Sequence, residues 1–375
     1  TKVFQTSGGT TLNVNAVDNF YANPDLTPEI HKELELGIEA KFLKNRVGLD
    51  VSLFTKDSED LIIDLDLDNS TGYSSSTVNS ASINNKGVEA ILNVIPVQSR
   101  DFTWDVSASF SLLRSEVISI ADGIDQIYVG GYVGRGNIAI PGLPYGILEG
   151  EVIRRDYGSL DGTDHTQVHW DDRTNYTPIV NANGGYQFLG YGVIGNPQPD
   201  FVYGVTNTLS YKWATLRVQF DSQVGGDVFS TTNSTLLGRG ILQETDFDRF
   251  VPVVTNGLSA DGTPNTTQTT ANAHYWPNTG VFYDENSIYD ASVMRLREVS
   301  LSFVAPKSFL NGTPFGNASL TLSAQNIWHY AWNTPSGTNF DPEVISYGAG
   351  SNARGFDEMT GPTAKKYGAT LSLTF

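Results

Sequence analysis

Apolar and polar residues alternate with a period of two along most of this chain. In the last ten residues Tyr367, Ala369, Leu371, Leu373 and Phe375 fall on one face, with Lys366, Gly368, Thr370, Ser372 and Thr374 on the other. Phe102, Trp104, Val106, Ala108, Phe110 and Leu112 alternate in the same way with Thr103, Asp105, Ser107, Ser109 and Ser111. Such a pattern specifies strands with one apolar face. It predicts strands at 34–43, 47–57, 86–96, 101–114, about 145–155, 186–194, 200–211, 214–224, 293–305, 317–327 and 364–375. No long stretch carries apolar residues at helical spacing.

A soluble sandwich also alternates, so strand length and the rhythm of the connections decide between the two. The alternating stretches run about ten residues, the span of a tilted transmembrane strand, whereas soluble strands run about five or six. Lys44 to Arg46, Gln98 to Arg100, and Lys212 with Trp213 are tight turns, but the stretches 58–84, 116–144, 225–291 and 328–363 are long and polar. Short turns on one side and long loops on the other are the habit of an outer-membrane barrel. Structureless loops of that length would count against a compact soluble domain.

The expectation is therefore an all-β chain forming a transmembrane antiparallel β-barrel. Residues 1–32 are read as an extracellular loop, 33–375 as barrel, and the four long stretches as extracellular loops. Alternating directions leave two downward strands facing each other across 156–199, and 186–194 supplies the missing upward one. The total is about eleven strands. Single-chain bacterial barrels are even-numbered, so the odd set implies further strands before residue 1.

Composition narrows the function. The 375 residues include no cysteine, which excludes disulfides, thiol nucleophiles and thiolate metal sites. Lys and Arg number 23 against 41 Asp and Glu, for a formal charge of -18. A surface that acidic is unsuited to nucleic acid. The mean hydropathy of -0.21 is compatible with a barrel, whose alternation hides its membrane character. The opening TKVFQTSGGT lacks the charged head and apolar core of a signal peptide.

Several strings, in order along the chain, resemble the C-terminal part of SusC/RagA-type TonB-dependent transporters of Bacteroidetes-like bacteria. They are NPDLTPE (23–29), NKGVEA (85–90), GNPQPDFVYG (195–204), VMRLREVSLSF (293–303), AQNIW (324–328), DPE (341–343) and the terminal YGATLSLTF. The resemblance implies the second half of a 22-stranded barrel in the outer membrane, embedded in lipid. It also implies several partners: the N-terminal half of the same barrel with its plug domain, TonB acting through that plug, and a SusD-like surface lipoprotein. The implied activity is uptake of oligosaccharides or peptides, with no cofactor. The alternative reading is a secreted soluble β-sandwich that binds carbohydrate or acts as an adhesin. An enzyme is a distant third, because no G-x-S-x-G elbow, P-loop or H-E-x-x-H is present.

Candidate residues fall in two groups, with no catalytic residue among them. Tyr367, Leu371, Leu373 and Phe375 form an expected assembly signal that also meets lipid. Trp170, Tyr275, Trp276, Trp328, Tyr330 and Trp332 are candidates for contact with substrate or lid, since aromatic rings dominate interfaces. For 324–332 an interfacial aromatic girdle is an equal reading, and Trp104 and Trp213 near the short turns are assigned to such a girdle. The run Asp57, Glu59, Asp60, Asp64, Asp66, Asp68 alternates with Leu61, Ile63, Leu65 and Leu67, and reads as a strand top with a solvated edge rather than a calcium loop. The second cluster, Asp156, Asp161, Asp164, Asp171 and Asp172, lacks EF-hand spacing, and His165 and His169 sit in a loop. No metal is expected.

Overall fold

A computed structural model describes residues 2–5, 11–14, 19–132, 134–156, 175–278, 283–334, 338, 340–343, 353–361 and 363–375. Its main feature is one sheet with nine long antiparallel strands, each beside its neighbour in chain order. These are β1 (Ile30–Phe42), β2 (Val47–Asp66), β3 (Ser75–Gln98), β4 (Phe102–Ser119), β5 (Phe201–Tyr211), β6 (Ala214–Val224), β7 (Val293–Val304), β8 (Asn317–Tyr330) and β9 (Lys366–Thr374). A short strand, Phe20–Tyr21, joins β3 in parallel. Among the described residues β1 and β9 have a neighbour on one side only, so the sheet is open.

The register carries the sequence alternation across the whole sheet. Trp104, Leu209, Leu216, Leu301, Leu322 and Ala369 lie opposite one another in a single row over six strands. On the other face Ser107, Thr206, Gln219, Glu298, Gln325 and Lys366 form an equally continuous polar row. A one-residue slip anywhere would exchange the two faces, which is why the register is so strongly specified. In β3, Gly87 leaves room that no other residue could. A Cβ there would meet the Leu112 carbonyl at 2.7 Å and the Phe54 ring at 2.5 Å. Phe54 crosses from β2 to cover this gap, and the glycine of NKGVEA is explained.

Above the sheet, a lobe folds from the connections. Ile127–Tyr132, Arg135–Ala139, Ile147–Ile153 and Phe188–Gly195 form a separate four-stranded sheet. Helices α1 (Thr231–Gly238) and α2 (Ala271–Asn278) belong to the same lobe, with Ser230 capping α1 by accepting the Asn233 N–H at 3.1 Å. The largest apolar core lies here and not in the wall. Leu148, Val152, Ile194, Phe229 and Phe356 pack together, almost wholly buried. Two ion pairs lie inside the lobe: the buried Asp284 with the half-buried Arg135, and Arg155 with Glu285.

Two features differ from the sequence expectation. β4 pairs directly with β5, so nine of the eleven expected strands build the wall. The stretches expected at about 145–155 and 186–194 pair with each other in the lobe sheet. Ile147, Leu148, Val152 and Ile153 are buried on both faces of their strand, so it suits a covered core and not a wall with one polar side. Removing two consecutive strands leaves the alternation of directions intact and the number odd. The second difference lies at 58–84. It is mostly strand: β2 continues to Asp66 and β3 begins at Ser75.

Candidate functional site

The two faces of the wall have different surroundings. The apolar face is uncovered, with Leu36, Ile38 and Leu371 exposed by 66%, 69% and 64%. The polar face lines a cavity of about 660 Å³ bearing Glu35, Asp50, Glu89, Asp221 and Arg295, with Glu343 reaching in from the connection after β8. A second cavity of about 510 Å³, set further along the same face, bears Asp105, Thr206, Arg217 and Glu298. A sheet with polar hollows on one side and bare aliphatic side chains on the other suits the wall of a pore-like enclosure.

One ion-pair network dominates the polar face. Arg295 and Arg297 stand two residues apart on β7, and therefore on one side of the strand. A bulge between Leu296 and Glu298 brings Glu298 to that side as well, because the partner registers on β6 and β8 both shift there. Arg297 donates to both oxygens of Asp221 at 2.7 Å, to Glu343 at 2.7 and 3.0 Å, and to Asn326 Oδ1 at 3.2 Å. Arg295 pairs with Asp341, which also accepts from the Thr363 hydroxyl and, at 3.1 Å, from the Glu343 N–H. Burial pushes the Asp341 carboxyl up, but the Thr363 and Arg295 hydrogen bonds outweigh it and hold the group below the ordinary carboxylate value.

These five charged residues escaped the sequence reading as a site, although four sit inside the strings VMRLREVSLSF and DPE. The available signal was a pair of arginines on the polar face of one strand, each needing an acid from elsewhere. The glycines around GNPQPDFVYG join lobe to wall. Gly225 and Gly226 follow β6 at φ 72° and 83°, and a Cβ on Gly226 would meet the Pro197 carbonyl at 3.1 Å. Arg114 on β4 fixes the other side of this junction, donating to Asp200 Oδ1 at 3.0 Å and to its carbonyl at 2.9 Å.

The predicted aromatic residues are dispersed. Trp328 and Tyr330 stack at 6.4 Å at the end of β8. Their partners Leu296 and Met294 lie opposite Phe220 and Ser222, which places both rings on the apolar face and away from the cavity. Trp332 follows, partly exposed. Tyr275 and Trp276 lie on α2, where Tyr275 meets Phe247 at 6.2 Å and the Arg239 guanidinium sits 5.7 Å from the Trp276 ring. Trp170, with His165, His169, Asp161, Asp164, Asp171 and Asp172, lies outside the described residues. Tyr367, Leu371 and Leu373 are exposed on the apolar face of β9, and Phe375 meets Phe315 at 5.1 Å. The acidic run near Asp57 is satisfied locally: Asn84 donates to Asp57 at 2.6 Å, Thr77 to Asp64 at 2.5 Å, and Lys32 pairs with Glu59 at 2.7 Å. Among the described residues no three His, Asp or Glu side chains converge on a metal-sized point.

This sheet is part of the wall of a transmembrane antiparallel β-barrel. The chain belongs to the TonB dependent receptor-like β-barrel family, whose model matches residues 2–221. It is 26% identical over 383 aligned residues to TonB-dependent receptor P3 of Formosa agariphila, covering 95% of this chain and 35% of that protein. To TonB-dependent receptor SusC of Bacteroides thetaiotaomicron it is 22% identical, over 71% of this chain and 25% of that one. The fold matches the structure of the RagAB peptide transporter along 100% of this chain and 38% of that one, at a TM-score of 0.66 and 20% identity. The resemblance to SusC/RagA-type transporters is borne out by these likenesses. The chain spans about a third of the length of the relatives it matches.

Proposed function

We propose that this chain forms part of the barrel of a TonB-dependent outer-membrane nutrient importer that takes up oligosaccharides or peptides. The observation that carries this reading is the nine-stranded wall, bare and aliphatic on one face and hollowed by polar cavities on the other. Lipid satisfies the first face, and a substrate path fits the second. In lipid every backbone N–H and C=O needs a partner within the protein. The free edges of β1 and β9 therefore seek the strands of an N-terminal barrel half, which would also supply the plug that TonB engages. A SusD-like surface lipoprotein completes the proposed importer, over the lobe that bears Tyr275 and Trp276.

Trp328 and Tyr330 suit an interfacial aromatic belt better than substrate contact, because their face is the lipid face. Tyr367, Leu371, Leu373 and Phe375 serve in this proposal as the assembly signal. The test is fractionation of cells producing the intact transporter, with growth on candidate oligosaccharides and peptides as sole nutrient. The expected result is an outer-membrane, detergent-requiring protein whose deletion abolishes growth on one substrate class. Recovery of this chain as a soluble monomer from the medium would favour the secreted sandwich instead.

A further inference from the structure

The segment Phe340–Glu343 meets two wall arginines: Asp341 pairs with Arg295, and Glu343 pairs with Arg297 at 2.7 Å and, more loosely, with Arg295 Nε at 3.3 Å. In the pair Arg295–Asp341 the side chains are 5% and 1% exposed. Separating it would strand a buried charge, so this contact resists opening. In the pair Arg297–Glu343 they are 29% and 43% exposed. Arg297 also holds Asp221, on the neighbouring wall strand, through two bonds of 2.7 Å. If Glu343 leaves, Asp221 still neutralises Arg297, Asp341 still neutralises Arg295, and Glu343 passes into water. One contact is thus fixed and the other separable at little cost. Position completes the case: among the described residues that line the 660 Å³ cavity, Glu343 alone is not on a wall strand. Movement of this one segment would change the cavity.

We infer that Phe340–Glu343 is a strap laid on the interior face of the wall, anchored at Arg295–Asp341 and fastened by a releasable clasp between Arg297 and Glu343. The inference rests on the proposed reading of the polar face as the interior. Gln219 lines the same cavity and lies two residues further than Asp221 from the end of β6 that leads into the lobe. This chain has no cysteine, so Gln219→Cys in the intact transporter provides a reporter beneath the clasp. An impermeant maleimide added outside intact cells labels it slowly while the strap is fastened.

Glu343→Gln should accelerate labelling about threefold to fivefold, the range an exposed ion pair supports. Salt at 1 M, with a screening length of about 3 Å, should accelerate labelling when Glu343 is present and have no effect in Glu343→Gln. Glu343→Asp, which keeps the carboxylate and is checked for folding by heat-modifiable migration, should label more slowly than Glu343→Gln. Equal rates in all variants, or salt acceleration that persists in Glu343→Gln, would overturn the strap. Leu36→Cys separates this from failure of the underlying reading. If Leu36→Cys on the other face reacts as readily as Gln219→Cys, it is the assignment of the interior that falls.

Discussion

The wall and the lobe use the same residue types to opposite ends. In the wall, leucine, isoleucine and valine face outward along nine strands, and Leu36, Ile38 and Leu371 remain mostly exposed. In the lobe, Phe229, Phe356 and Leu148 are wholly enclosed. A water-soluble protein could not leave so continuous an aliphatic surface bare, since exposed patches of that extent mark an interface. The contrast shows that the wall is half of a packing problem whose other half is lipid, while the lobe solves its own packing with protein alone. Polar chemistry follows the same division. The lobe closes the pair Arg155–Glu285 almost wholly from solvent, whereas the wall's pair Arg297–Glu343 stays partly exposed.

Substitutions can break this comparison, beginning with the largest effects. Phe229→Ala should cost the lobe about 3–5 kcal/mol through the cavity it leaves. Hydrogen exchange should show the strand Asp227–Ser230 opening while the wall strands keep their protection. Arg295→Ala should cost a similar 3–5 kcal/mol by leaving Asp341 buried without a cation, and limited proteolysis near 340–343 reads that loss. Leu36→Arg sharpens the contrast. A substitution at so exposed a surface site would shift a soluble protein by about 0.5 kcal/mol or less, whereas facing lipid near the membrane midplane it should cost about 2–4 kcal/mol. Unfolding of the intact transporter in lipid bilayers distinguishes the two: a loss of about 2–4 kcal/mol supports a lipid-facing Leu36, and a loss of about 0.5 kcal/mol or less removes it from that face. Phe375→Ala tests the role of the last strand, with reduced outer-membrane levels expected; unchanged levels would remove Phe375 from the assembly signal.

The smallest effect concerns acid. Asp341 has its folded pKa held below the ordinary 3.8, so it favours folding when ionised. That contribution is complete at neutral pH and is lost only as the pH falls below about 3.8 through the folded value. Melting curves at pH 7 and pH 3 should converge in Asp341→Asn relative to the unaltered protein. A difference between the two pH values as large in the variant would assign the acid sensitivity to other groups.

The turns and faces of the wall were legible in the sequence because a strand's side chains alternate whatever lies beyond them. The strand at 214–224 was placed to the residue, and 293–305 and 200–211 to within one. The stretches at 145–155 and 186–194 were recognisable as strands, but their sheet was not. Period two reports that a strand has faces, and only its neighbours decide what covers them. The doublets Ile147–Leu148 and Val152–Ile153, apolar at both parities, were the overlooked sign of a strand buried on both sides. For the candidate site the sequence offered aromatic residues, whereas the structure assembles charges. Asp221, Arg295, Arg297, Asp341 and Glu343 come from two wall strands and a distant connection, and no local spacing announces that meeting.

By itself, then, the sequence determined the antiparallel sheet, its apolar and polar faces, and its tight turns, all of which follow from local periodicity and backbone geometry. The tertiary structure alone decided which strands enclose the interior and which build the lobe. It alone brought Glu343 to Arg297, because pairings between residues 46 positions apart depend on how the intervening chain packs.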